Sequence, residues 1–217
     1  AVRDLSPQDF FEQVLLARLH AGAVLCGAGH RFGKNAAGDA AVLRALCDRA
    51  GVSCTVLPSL KAEGRVVSSS WIRQCIMAGD MERAARLLGR PFCVTGEVLH
   101  GKQLGRKLGA PTVNQALPAG RVSPRYGVYA AFVRVDGVRY AGAANVGLRP
   151  TVSGESVNVE THIVDFEGDL YGRVVTVELL RHLRDECRFS SVEELRAQVL
   201  RDVERAKEVC AAQKGAL

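Results

Sequence analysis

Residues 101–114 read GKQLGRKLGAPTVN, three glycines and three basic residues ahead of a Pro-Thr-Val-Asn tail. Pro111 fixes its own φ and biases Ala110 toward an extended conformation, so the tail should leave as a strand. In a strand, Thr112 and Asn114 share one face. A hydroxyl and an amide carbonyl two positions apart are neutral oxygen ligands for a hard cation such as Mg2+, which keeps waters and phosphate oxygens for its other positions. Gly101, Gly105 and Gly109 let backbone approach a polyphosphate, and Lys102, Arg106 and Lys107 can balance its charge. The combination reads as a nucleotide clamp. A solvated basic hairpin is the better account of the glycines and lysines alone, and the P-loop pattern G-x-x-x-x-G-K-[ST] does not occur. Specificity therefore rests on the Pro-Thr-x-Asn tail and on the motifs downstream of it.

Such residues need a rigid frame. From Cys93 onward the segments are short, rich in Val, Tyr and Thr, and punctuated by turn residues, an all-β rhythm. In VYAAFVRVDGVRYAGAANVG, Asp136-Gly137 predicts a tight hairpin between two strands. VETHIVDF and RVVTVELLRHL supply further strands around Glu167-Gly168-Asp169, and a closed barrel would remove their exposed edges. Residues 191–209 predict a helix, opened by a capping box of Ser190 with Glu193 or Ser191 with Glu194. Its apolar stripe is Val192, Leu195, Val199, Val203 and Ala206. Upstream, residues 8–20 predict a helix with Phe11, Val14, Leu15 and Leu19 on one face. A buried strand, a glycine-rich loop, a helix stopped by Gly51 and the strand VSCTVLPSL then spell a parallel α/β unit. Two helices follow, broken at Gly79-Asp80 and ended by Gly89 and Pro91, which sets a boundary between residues 1–91 and 92–217.

The 217 residues are 47% hydrophobic and 24% charged, which suits a folded chain rather than a disordered one. The net charge of +6 permits contact with nucleic acid or phosphorylated ligands, but the basic residues are scattered. Seven cysteines at irregular spacings, with no CxxC, argue against a disulfide framework or a zinc site and for a reducing, cytoplasmic setting. No membrane segment is expected, and oligomeric state is not readable from the sequence.

GEVLHGKQLGRKLGAPTVN, followed by GVYAAFVRV, NVGLRPT, VETHIVDFEGDLYG and LRDECRF, resembles the riboflavin kinase module of bacterial bifunctional riboflavin kinase/FMN adenylyltransferases (FAD synthetases). The resemblance implies a six-stranded antiparallel β-barrel with a C-terminal helix. It implies transfer of the ATP γ-phosphate to the riboflavin 5′-hydroxyl, giving FMN, with Mg2+. By motif position, Thr112 and Asn114 take the Mg-ATP roles, with Val113 where the family has Ala. Glu160 takes the place of the catalytic glutamate. Gly101, Arg106 and Gly109 fall on a flap over the nucleotide and Tyr171 on a stretch lining the same site, while Arg184 and Phe189 match positions that close over the flavin. A carboxylate that accepts the alcohol's proton typically contributes about 10^2 to 10^4 in rate. Glu160 should then share one barrel cavity with Thr112. Arg184 as a surface ion-pair partner, Phe189 as a core residue, and His162 as a structural hydrogen-bonding group are the competing readings of those residues.

GAGHRFGKNAAGD and the segment from Val66 to Phe92 resemble the later part of the family's adenylyltransferase domain, a Rossmann-like α/β nucleotidyltransferase. Arg31, Phe32 and Gly33, then Ser69, Ser70 and Arg73, occupy its phosphate-holding elements. Helix capping explains the serines equally well. The family's Gly-x-Phe-Asp-Gly-x-His-x-Gly-His stretch is missing before residue 30, and Gly29-His30 stands where an Asp-Phe pair is common. The expectation is a partial adenylyltransferase domain with marginal order and no FAD synthesis by this chain. Two readings from other classes are a basic barrel that binds RNA, which would want exposed aromatics, and a flavin-binding protein without catalysis, which would need neither Mg2+ nor a base.

Overall fold

The computed structural model describes residues 2–100, 112–118, 120–151 and 154–214. Two compact units divide the chain, Ala1–Val67 and Ser68–Leu217. The helices after residue 68, which the sequence pattern groups with the first domain, thus belong by packing to the second unit.

In the first unit a helical turn, α1 (Pro7–Asp9), is capped by Ser6 and runs into a π-helix over Phe10–Leu16. Its wider turn, with Ala17 N–H bonded to Glu12 and Leu19 N–H to Val14 carbonyls, rotates the apolar face. Phe11 is buried as expected, whereas Leu19 is 65% exposed instead of joining it. Strand β1 (Ala23–Gly27) precedes the small pair β2 (Arg31–Phe32) and β3 (Gly38–Asp39), then α2 (Ala40–Ala50) and β4 (Ser53–Leu57). β1 and β4 pair in parallel, and Gly51, at φ 67°, ends α2 as the sequence predicts. Alternation sends Val24, Cys26, Cys54 and Val56 toward α2. It leaves Leu25 66% exposed on the other face, so β1 is half-buried rather than buried. A hairpin of β5 (Lys61–Ala62) and β6 (Arg65–Val66) completes the unit.

The second unit opens with α3 (Ser69–Ala78) and α4 (Met81–Leu88), stopped by left-handed Gly79 and Gly89 and capped by Ser68 and Asp80. Six antiparallel strands follow: β7 (Phe92–Glu97), β8 (Thr112–Ala116), β9 (Gly127–Val135), β10 (Val138–Thr151), β11 (Gly154–Ile163) and β12 (Val174–Arg184). Their spatial order is β7-β12-β9-β10-β11-β8. The Asp136-Gly137 turn between β9 and β10 has φ of 51° and 81°, the double left-handed geometry that matches strand twist. β7 and β8 meet without a full ladder. Leu99 N–H bonds to the Asn114 carbonyl, and the buried Gln115 Nε2 donates to the carbonyls of Gly96 (2.8 Å) and Val175 (3.0 Å), stapling the seam from within.

Helix α5 (Val192–Lys214) lies along the outside of this barrel, over β9, β10 and β12. β9 is covered on both faces. Tyr129, Ala131 and Val133 point into the barrel, Val128, Ala130 and Phe132 toward α5, which is why GVYAAFV reads as one apolar run. The helix cap combines both predicted serines. Glu194 N–H donates to Ser191 Oγ, while the Glu194 carboxylate accepts from Ser190 N–H, a bond that lowers its pKa from the ordinary value. Val203 and Ala206 bury themselves as the stripe predicts, but Val192 is 60% exposed at the first position of the helix. No helix among the described residues is long and apolar enough to cross a membrane.

Candidate functional site on the outer face of the barrel

Strand register alone assembles most of the site. Arg184 pairs with Val128, Val128 with Asn145, Asn145 with Glu160, and Glu160 with Asn114, one row across five strands. The next row runs from Ala143 through His162 to Thr112. Directly paired residues project to the same side of a sheet, and this side faces α5. The result is a cavity of about 240 Å³. Thr112, Asn145, Glu160 and His162 form its sheet wall, Arg184, Cys187 and Phe189 its loop wall, and Leu195, Val199, Asp202 and Val203 its helix wall. The expectation that Thr112 and Glu160 share one cavity holds. Its place is different: it lies between the barrel and the helix, because the barrel interior is packed solid with Tyr129, Val133, Val146, Val159 and their neighbours.

Thr112 Oγ1 donates to Glu160 Oε1 at 2.6 Å, across the β8–β11 pair. A hydroxyl bonded to a carboxylate is a strong, short contact that fixes both side chains. It leaves the Thr112 lone pairs and the second Glu160 oxygen for other partners. Asn114 is in the same row but only 6% exposed, and it is not on the cavity wall. Its Oδ1 accepts from Asn158 Nδ2 at 3.0 Å. The two predicted oxygen ligands therefore share a face, with Thr112 at the cavity and Asn114 beside it. No group of three or more His, Cys, Asp or Glu side chains suited to a metal occurs among the described residues. Two neutral oxygens next to one carboxylate fit a hard cation that brings phosphate and water ligands of its own.

Arg184 is held, not free. Its Nε and Nη2 form a fork on the buried Asp202 carboxylate at 2.7–3.1 Å, and Gln198 Nε2 donates to the same carboxylate at 2.8 Å. Burial works against the guanidinium charge, but the hydrogen bonds and attraction of Asp202 prevail and raise its pKa above the ordinary value. Arg184 Nη1 also donates to the Asp185 carbonyl and Cys187 Sγ, and the guanidinium lies 5.8 Å from the Phe189 ring centre. Arg184 thus ties the loop after β12 to α5 and sets Phe189 against the cavity. Gly127 makes room for this loop: at φ 142°, a Cβ there would collide with the Arg184 carbonyl and lie 2.5 Å from His182 Nε2.

Tyr171 stacks on His100 with ring centres 3.9 Å apart and does not line the cavity. Gly101, Arg106 and Gly109 lie outside the described residues. In the first unit Arg31 is exposed near Asp39, whose carboxylate caps α2. Phe32 is a core residue, packed on Phe10 at 5.7 Å, and Gly33, at φ 72°, passes against Pro7. In the second unit Ser68, not Ser69 or Ser70, caps α3. Ser69, Ser70 and Arg73 are exposed on its first turns.

Sequence reasoning passes over Asn145 and Asp202. Asn145 opens NVGLRPT as a lone amide in an apolar strand. Asp202 is visible as an acid between Val199 and Val203, three and one positions away on the stripe that a helix buries.

Residues 88–210 match the riboflavin kinase family model, and residues 1–71 match the FAD synthetase model. The chain is 39% identical over 211 residues to the bifunctional riboflavin kinase/FMN adenylyltransferase of Pseudomonas fluorescens, covering 97% of this chain and 68% of the relative. With the enzyme of that name from Escherichia coli strain K12, identity is 38%, and coverage is 94% of this chain and 65% of the relative. A crystal structure described as a macrolide-efflux protein from Streptococcus pneumoniae superposes with a TM-score of 0.81 at 32% identity, covering 94% of this chain and 66% of that one. The chain thus spans about two thirds of the length of these relatives. With the barrel, the helix-covered cavity and both family matches in agreement, this chain belongs to the bifunctional riboflavin kinase/FMN adenylyltransferase family, residues 88–210 being its riboflavin kinase part.

Proposed function

We propose that the cavity under α5 is where this riboflavin kinase joins its two substrates, and that Glu160 is the base. The observation that carries this reading is the 2.6 Å bond from Thr112 to Glu160 on the polar sheet wall of a cavity that also has an apolar side. Val128, Leu195, Val199 and Phe189 suit a flat aromatic ring, and the polar sheet wall suits a polyol tail. The terminal ribityl oxygen attacks the γ-phosphorus as the bond to ADP breaks, and the hydroxyl proton passes to Glu160. Thr112 holds the carboxylate in the orientation that receives it. Thr112 and Asn114 would hold Mg2+, which when bound offsets the charge of the phosphates. Gly101, Arg106, Gly109 and Tyr171 are assigned to the nucleotide on the motif resemblance, and Phe189 to the flavin, with Arg184 acting through the loop it ties down.

The functional boundary is placed between residues 91 and 92. Arg31, Phe32, Gly33, Ser69, Ser70 and Arg73 are assigned to the adenylyltransferase part, whose activity belongs to the whole protein, and the product expected from this chain is FMN without FAD. Seven free cysteines suit the reducing cytoplasm. The RNA-binding alternative is not favoured, since Tyr129 and Phe132 are buried rather than offered for base stacking.

Incubation with riboflavin and Mg-ATP, followed by separation of the flavins, tests the reading. Glu160→Gln should lower FMN formation about 10^2- to 10^4-fold with riboflavin affinity retained. Unchanged turnover would remove Glu160 from the role of base.

A further inference from the structure

The cavity face of β10 presents Ala143, Asn145 and Gly147 in alternation. Ala143 offers only a methyl group, and Gly147 lies against the Glu186 carboxylate, where a Cβ would collide. Asn145 is therefore the hydrogen-bonding side chain that this strand gives the cavity. Its backbone pairs with Glu160 on one side and Val128 on the other, so its amide stands between the proposed base and the apolar wall. Paired residues bring their Cβ atoms to roughly 4.5–5.5 Å of each other. Among the described residues the Asn145 amide has no hydrogen-bond partner, although Thr112, Asn114, Asn158 and Arg184 nearby are all paired.

An ionised Glu160 can only accept, whereas an amide both donates and accepts. A hydroxyl also does both. Two hydroxyls on adjacent carbons can therefore be read by this pair, one giving its proton to Glu160 and its neighbour bonding to Asn145. Resting on the riboflavin kinase reading, we propose that Asn145 is a specificity-determining residue that binds the ribityl hydroxyl next to the reacting one and selects flavins carrying a polyol chain. The apolar wall holds the ring system, and Asn145 sets how far along the chain the reacting oxygen falls.

The test is flavin binding by fluorescence quenching, with riboflavin and with lumiflavin, which keeps the ring system but has no ribityl chain. Asn145→Ala should weaken riboflavin binding about three- to tenfold, the range of one hydrogen bond, with lumiflavin affinity unchanged. In turnover the KM for riboflavin should rise while the KM for Mg-ATP stays constant. Asn145→Asp, nearly equal in size but without the donor, should show the same selective loss and serves if the Ala variant does not fold. Equal weakening of both flavins, or of neither, would overturn the proposal. Wild-type chain that binds neither flavin would overturn the riboflavin kinase reading and this proposal with it.

Discussion

The fork between Arg184 and Asp202 offers the sharpest quantitative test of how the cavity is held. The perturbations are Arg184→Met, Asp202→Asn and the double variant. Asp202's side chain is 4% exposed and Arg184's 21%, so each single change strands a largely dehydrated charge. Removing one partner of a buried pair costs about 3–5 kcal/mol, and the partial exposure of Arg184 favours the lower end, about 3 kcal/mol. At about 2–4 °C per kcal/mol for a domain of this size, each single variant should melt roughly 6–12 °C lower. The double variant has no stranded charge and should lose clearly less than the sum of the two, because contacting residues do not behave additively. Arg184→Met adds a pH signature. A buried carboxylate without its cation has a folded-state pKa above the unfolded value, so it destabilises at neutral pH and ceases to do so as the pH falls through the folded pKa. The melting deficit of that variant should narrow from pH 7 toward about pH 5. Riboflavin affinity should fall in both single variants, since the loop bearing Phe189 loses its anchor. Thermal melts by circular dichroism across this pH range suffice. Additive losses, or single-variant shifts under about 2 °C, would refute the claim that this pair is a buried, coupled anchor.

Gly127→Ala should cost at least about 2 kcal/mol in urea unfolding and weaken riboflavin binding, because the added Cβ strikes the Arg184 carbonyl and His182 in a left-handed backbone region. Gln115→Leu should destabilise the barrel by about 1–3 kcal/mol, since it strips the donor from two buried carbonyls at the β7–β8 seam. Asp39→Asn isolates the charge at the start of α2. The Val42 N–H group, helped by Ala41 N–H and by Arg31 nearby, outweighs desolvation and holds the Asp39 pKa below the ordinary carboxylate value, so its charge stabilises at neutral pH. That benefit is lost as the pH falls through the folded-state pKa, and the melting difference between the Asp39→Asn variant and the wild-type chain should vanish there.

Local chemistry made much of the framework legible. The Asp136-Gly137 hairpin, the glycine stops at residues 51, 79 and 89, and the Ser191 cap each depend on a few adjacent residues, and each is where its sequence signal puts it. The misses arise where a local rule met a non-local choice. Leu19 follows a 3.6-residue period, but the backbone took a π-turn that seats Phe10, Phe11, Leu15 and Leu16 in the core and turns Leu19 outward. Leu25 belongs to an apolar run whose second face has no cover among the described residues of the first unit.

The family resemblance of the motifs singled out Glu160, Arg184 and Phe189, the Pro-Thr-x-Asn tail pointed to Thr112 and Asn114, and strand alternation alone required Thr112 to share a face with Asn114. Which side of the barrel that face became was beyond any local signal, because β8 carries polar side chains on both faces, Thr112 and Asn114 on one and the buried Gln115 on the other. Register placed Asn145 beside Glu160, and the docking of α5 brought Asp202 to Arg184 from 18 positions away in the chain. Pairing and packing join residues by position in space, and one-dimensional spacing carries no record of those distances.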